Sequence, residues 1–197
     1  YLDVSLGSSS LRPLRIFAVG ELSNPGAYVV KPTATIFTAL YYFNGPDVKG
    51  SMRSIKLIRD EKEIANIDFY DFLLSGKRKN DKKLQRDDII FIPPRENSII
   101  VKGEINRTDL IYELKDNEGI LDLIKMAGGL KSTTFLSRVS IDREIQYRKG
   151  ENFTSEVTRI DLNLGDLLND SSNFELINND IVTFYKTAPK SKNVFNI

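Results

Sequence analysis

"AVGELSNPGAY" (Ala18–Tyr28) and "IVKGEINRTDLIY" (Ile100–Tyr112) decide how this chain is read. Each leaves an apolar run through Gly-Glu-apolar, passes a polar turn and re-enters an extended apolar segment. Sliding the sequence along itself sets Ile16-Phe17-Ala18-Val19-Gly20-Glu21-Leu22 on Ile99-Ile100-Val101-Lys102-Gly103-Glu104-Ile105. One added residue later, "TIFTALYYFNG" (Thr35–Gly45) meets "GILDLIKMAGG" (Gly119–Gly129). Ile36, Ala39, Leu40 and Phe43 fall at the i, i+3, i+4, i+7 spacing of a buried helix face, and so do Ile120, Leu123, Ile124 and Ala127. Each predicted helix stops at a glycine, Gly45 or Gly129. Shared register over two unlike segments indicates an internal duplication.

The copies stay aligned further on. "RSIKLIRD" (Arg53–Asp60) meets "SRVSIDRE" (Ser137–Glu144), both alternating as half-buried strands do. "IANIDFYDFLLSG" (Ile64–Gly76) meets "VTRIDLNLGDLLND" (Val157–Asp170), a strand followed by a short helical turn. Asp88 and Asp180 then each lead into a closing strand. An insertion in copy two, "IQYRKGENFTSE", predicts a longer hairpin. The expected organisation is an N-terminal connection over 1–15, a first domain over 16–94, a linker over 95–98, a second domain over 99–186 and a tail over 187–197. Each unit reads strand, strand, helix, strand, strand, short helix, strand. A hairpin, one crossing helix and a returning strand wrap a sheet around the helix. The expected fold is α+β, two consecutive β-grasp domains.

Composition narrows function by exclusion. The chain has 197 residues, 41% of them hydrophobic and 28% charged, with a formal net charge of +1. No uniform field favours nucleic acid or an anionic membrane. No apolar run approaches the ~20 residues that span a bilayer. Cysteine and histidine are both absent, which removes disulfides, thiolate chemistry and histidine-based metal or general-base sites. The chain begins at Tyr1 and is expected to be a mature form or, in preference, a segment of a longer protein.

"VGELSNPGAYVV" with "TIFTALYYFNGP", and "VKGEINRTDLIYEL" with "GILDLIKMAGGLKSTTFLSRVSI", resemble SLBB (soluble-ligand-binding β-grasp) domains, which occur in tandem in bacterial polysaccharide export proteins of the outer-membrane auxiliary type. Gly20, Pro25, Gly26 and Tyr28 match the first part of the pattern in copy one. Met126-Ala127-Gly128-Gly129 and Arg138-Val139-Ser140-Ile141 match the second part in copy two. Copy two departs by lacking the Pro-Gly turn, and copy one by having Phe43-Asn44-Gly45 in place of Ala-Gly-Gly. The resemblance implies a periplasmic, outer-membrane-associated parent that assembles as a homo-oligomeric ring. It also implies two partners, a polysaccharide and an inner-membrane polysaccharide co-polymerase; with the composition above, no cofactor, no metal and no nucleic acid are expected.

The hairpin corners supply the candidate contact residues. Asn24-Pro25-Gly26-Ala27 predicts a type II turn with glycine at positive φ. Asn24 and Tyr28, or Asn106, Arg107 and Tyr112, offer amide, guanidinium and aromatic groups suited to a glycan or a partner, although the turns serve the fold whether or not they bind. Tyr41-Tyr42 borders the first helix face, where a tyrosine can stack on a sugar ring, but both are expected at the core edge with wet hydroxyls. "SGKRKNDKKLQR" (Ser75–Arg86) holds six basic residues and one acidic one, whereas "LNDSSNFELINND" (Leu168–Asp180) is acidic. The basic loop offers a contact for nucleic acid, although it lacks the interleaved aromatics of such a surface, or for an acidic glycan. Otherwise the two loops suit a solvated surface or a head-to-tail contact between subunits. Asp87-Asp88 and Asp68 with Asp71 invite an acid–base reading, yet each sits where aspartate routinely caps a helix or turn. The expected function is therefore a non-catalytic structural and interaction module in polysaccharide export. The alternatives are a stand-alone carbohydrate- or small-ligand-binding module and a protein-interaction scaffold.

Overall fold

The computed structural model describes residues 12–149 and 152–188. Most of the N-terminal connection, most of the C-terminal tail and the tip of the inserted hairpin therefore lie outside the described residues. The chain divides into two compact units between Arg95 and Glu96.

The first unit runs β1 (Leu14–Gly20), β2 (Gly26–Val30), α1 (Ile36–Leu40), β3 (Ile55–Arg59), β4 (Lys62–Ile67), α2 (Phe69–Ser75) and β5 (Ile89–Ile92). The second repeats it as β6 (Ser98–Gly103), β7 (Leu110–Glu113), α3 (Ile120–Met126), β8 (Thr134–Lys149), β9 (Asn152–Leu162), α4 (Leu164–Asp170) and β10 (Ile181–Lys186). Each unit forms one five-stranded sheet, in the order β2-β1-β5-β3-β4 or β7-β6-β10-β8-β9. The first and last strands of each unit lie parallel at the centre, and the remaining pairs are antiparallel. The fold is α+β, as the alternation and helix spacing predict.

Alternate strand residues turn to the helix. Ile16, Ala18, Ile55, Leu57, Ile90 and Ile92 are buried with Ile36, Ala39, Leu40 and Phe43 in the first core. Ile99, Val101, Val139, Ile141, Val182 and Phe184 take the same places in the second, with Ile120, Leu123, Ile124 and Ala127. α1 begins at a reciprocal cap between Thr35 and Thr38. It ends earlier than its apolar spacing predicts. After Leu40 the turn tightens, with the Tyr42 amide donating to the Ala39 carbonyl, and Phe43 is still carried into the core.

Both helices then close alike. The Gly45 amide donates to the Leu40 carbonyl and the Gly129 amide to the Ile124 carbonyl, each at 2.9 or 2.8 Å. The residue before each glycine also has positive φ, 63° at Asn44 and 80° at Gly128. Asparagine tolerates that left-handed geometry better than other residues with a side chain, so Asn44 can take the place of a glycine.

The β3–β4 hairpin turns tightly through Asp60 and Glu61, with φ of 48° and 62°, the mirror-image turn that suits the strand twist. In copy two the insertion lengthens this hairpin. β8 and β9 remain paired from Val139 opposite Leu162 out to Lys149 opposite Asn152.

Candidate functional site

The doubled Gly-Glu motif has a steric origin. Gly20 and Gly103 end β1 and β6 at φ of 100° and 87°. A Cβ on either would lie 2.0 Å from the carbonyl oxygen of Ile92 or Phe184. That close approach lets the next amide, of Glu21 or Glu104, donate 2.8 Å to the same carbonyl and lock the first strand to the closing one.

The hairpin corners follow. Gly26 does not have positive φ. It opens β2 opposite Ala18, so the predicted type II turn does not form, because strand pairing already fixes that residue in extended backbone. Copy two turns with Asp109 in the left-handed region, at φ 58°.

Tyr28 and Tyr112 occupy equivalent positions and do equivalent things. The Tyr28 hydroxyl donates to the Asn24 carbonyl, and the Tyr112 hydroxyl donates 2.9 Å to the Arg107 carbonyl. The Tyr28 ring also lies against Phe43, with centroids 5.5 Å apart. Asn106 donates from its side-chain amide to the Gly128 carbonyl at 2.7 Å, and the Arg107 amide donates to the Ala127 carbonyl at 3.0 Å. The second corner is thus fastened to the end of α3. Asn24 is exposed.

The carboxylates weighed as acid–base pairs are held in structural contacts. Asp68 caps α2 through the Tyr70 amide and pairs with Arg53 at 2.9 Å. Asp87 pairs with Arg15 at 2.7 Å. Asp88, with no side-chain exposure, accepts from Arg59 Nε and Nη2 at 2.7 and 2.8 Å and from the Gln85 amide at 2.7 Å. Asp180 repeats this arrangement with Arg143, at 2.9 and 2.7 Å, and with the Ile177 amide. Each arginine also donates to a loop carbonyl, Lys83 or Glu175. The hydrogen bond to its aspartate is what most raises the pKa of each arginine. The signal was in the aligned copies, where Arg59 lies on Arg143 and Asp88 on Asp180. Asp180 is therefore spent inside the second unit and adds nothing to an acidic outer surface.

A concavity that sequence reasoning missed opens in the first unit beside α1 and α2. It encloses about 390 Å³. Phe37, Phe69 and Phe72 form its wall, with ring centroids 5.0–5.7 Å apart. Arg78, from the basic loop, lies at its edge with its guanidinium 5.7 Å from the Phe72 ring centroid. Tyr41 also lines it, and is 83% exposed rather than packed at the core edge as expected. Tyr42 differs, since its hydroxyl lies 3.4 Å from the Lys31 amide and accepts from it.

The SLBB domain family matches the sequence twice, over residues 15–67 and 99–154, together more than half of the chain. Two curated relatives from Escherichia coli, each named Polysialic acid transport protein KpsD, are 30% identical over 95 residues. That match covers 48% of this chain and 17% of each relative's length.

Proposed function

The chain belongs to the SLBB domain family, whose pattern it carries in two successive units, and on that premise we propose that it is a non-catalytic module of a polysaccharide export protein. The tandem match carries the reading, and the similarity to two polysialic acid transport proteins supports a polysaccharide as the polymer. The pairing of Asp68, Asp87, Asp88 and Asp180 with arginines agrees with a scaffold rather than with acid–base chemistry. The parent protein is periplasmic and associated with the outer membrane. It forms a homo-oligomeric ring that helps build or line the translocation channel, working with an inner-membrane polysaccharide co-polymerase. Among the described residues no helix is long and apolar enough to cross a membrane.

Asn24, Tyr28, Asn106, Arg107 and Tyr112 are proposed to meet polymer or a neighbouring subunit at the two hairpin corners. With both tyrosine hydroxyls turned to the backbone, such contact falls to ring edges and to the Asn24 and Arg107 side chains.

The test is in-frame removal of residues 16–94 or 99–186 from the full-length protein, with surface polysaccharide and protein level measured together. Loss of surface polymer at normal protein level is expected. Normal export without either unit refutes the reading.

A further inference from the structure

The concavity beside α1 and α2 is explained neither by the fold nor by the hairpin corners. Its volume of about 390 Å³ lies within the ~300–1,000 Å³ range of small-molecule sites. The duplication supplies an internal control for its lining. Phe37 is the second residue of α1 where α3 has Leu121. Phe69 and Phe72 are the first and fourth residues of α2 where α4 has Leu164 and Leu167. The second unit builds the same architecture with leucine at all three places, so the fold alone does not call for three aromatic rings.

Two groups at the edge point the same way. Tyr41 presents a ring that is 83% exposed, although large aromatic surface is normally buried. Arg78 has no carboxylate partner among the described residues, whereas its neighbour Lys79 pairs with Asp71 at 3.3 Å. Lys77, Lys82, Lys83 and Arg86 add positive charge on the same loop. Copy two instead places Asp166, Asp170 and Glu175 in and after α4.

A ligand suited to this site has a flat apolar face for the rings and an anionic group for the guanidinium. A pyranose carrying a carboxylate has both, with its axial C–H bonds on one face and its acid at the rim. We infer that the first unit holds a subsite for one acidic sugar residue of the exported polymer, seated on Phe69, Phe72 and Tyr41 with its carboxylate toward Arg78. The class of ligand rests on the export reading, and the location rests on the geometry alone.

The test titrates the 197-residue chain with oligosialic acid, with oligogalacturonic acid, with neutral maltohexaose and with oligoglutamate, following backbone amide shifts by NMR. A carboxylated sugar is expected to shift amides of residues 37–46 and 69–78. Arg78→Gln and Tyr41→Ala should each weaken that binding about tenfold. Phe72→Leu, which copies the second unit, should weaken it too while leaving the amide spectrum otherwise folded. Four results overturn the inference: no response to either acidic sugar, shifts confined to the hairpin corners or the second unit, a response to maltohexaose that Arg78→Gln leaves unchanged, or a response to oligoglutamate alone, which makes the site a peptide dock. In the full-length protein, export that survives Arg78→Gln and Tyr41→Ala but not removal of residues 16–94 sinks the subsite and spares the export reading. Export that survives the removal sinks the export reading whatever the oligosaccharides do.

Discussion

Replacing Asp88 by alanine tests whether the buried ion pair holds the first unit closed. The substitution removes three hydrogen-bond acceptances at once, two from Arg59 and one from the Gln85 amide. Breaking a buried pair costs about 3–5 kcal/mol, because the remaining charge is left without compensation. Asp88 has no exposure, but the Arg59 side chain retains 21%, and water can partly solvate the orphaned guanidinium. The low end, about 3 kcal/mol, is therefore expected, a drop of ~12–24 °C in midpoint at ~4–8 °C per kcal/mol for a unit of this size. With no tryptophan in the chain, far-UV circular dichroism gives the midpoint. Amide exchange resolved by residue then shows which unit opens, since two units need not unfold as one transition. Protection should fall throughout β1, β3 and β5 and persist in the second unit. The paired variant Arg59→Met with Asp88→Leu should recover most of the loss, since an apolar pair of similar volume can replace a buried ion pair. A midpoint shift below about 3 °C, or a coupling below ~0.5 kcal/mol in the double-mutant cycle, refutes the reasoning.

Three further outcomes follow from the same contacts. Gly103→Ala should cost at least about 2 kcal/mol in urea unfolding, combining left-handed backbone with a clash; a change below ~0.5 kcal/mol would show that β6 and β10 separate easily. Tyr112→Phe should cost about 1 kcal/mol by removing the bond to the Arg107 carbonyl, and unchanged stability would mean that the hydroxyl braces nothing. Burial pushes the Asp122 carboxyl up, but hydrogen bonds from the Gly119 amide, the Asn173 amide and Lys125, with the charge of Lys125, bring it below the usual aspartate range. A lowered folded pKa gives stability that is present above the ordinary value and is lost as pH falls through the folded one. Asp122→Asn should therefore flatten the acid limb of the stability profile in that window, and an unaltered limb would exclude the contribution.

Most of the architecture was legible because its signals are local. The period of Ile120, Leu123, Ile124 and Ala127 marks one helix face whatever lies opposite, and alternation marks strands without their partners. The positive φ of Gly45 and Gly129 likewise follows from the need to close a helix. The type II turn expected at Asn24–Ala27 does not form, because pairing of Gly26 with Ala18 overrides local turn preference. The candidate residues Tyr28 and Tyr112 stood out as aromatics, but only the folded chain shows their hydroxyls turned back to Asn24 and Arg107.

By itself the sequence determined that one unit is written twice, where its helices and strands fall, and which face of each goes inward. Tertiary structure alone decided which polar groups meet. Arg59 reaches Asp88 across 29 positions and Arg143 reaches Asp180 across 37. Phe37 joins Phe69 and Phe72 only because α1 and α2 come together beside Arg78. Periodicity records how a segment faces its surroundings, whereas a pair or a pocket depends on the distance between segments, and chain folding alone sets that distance.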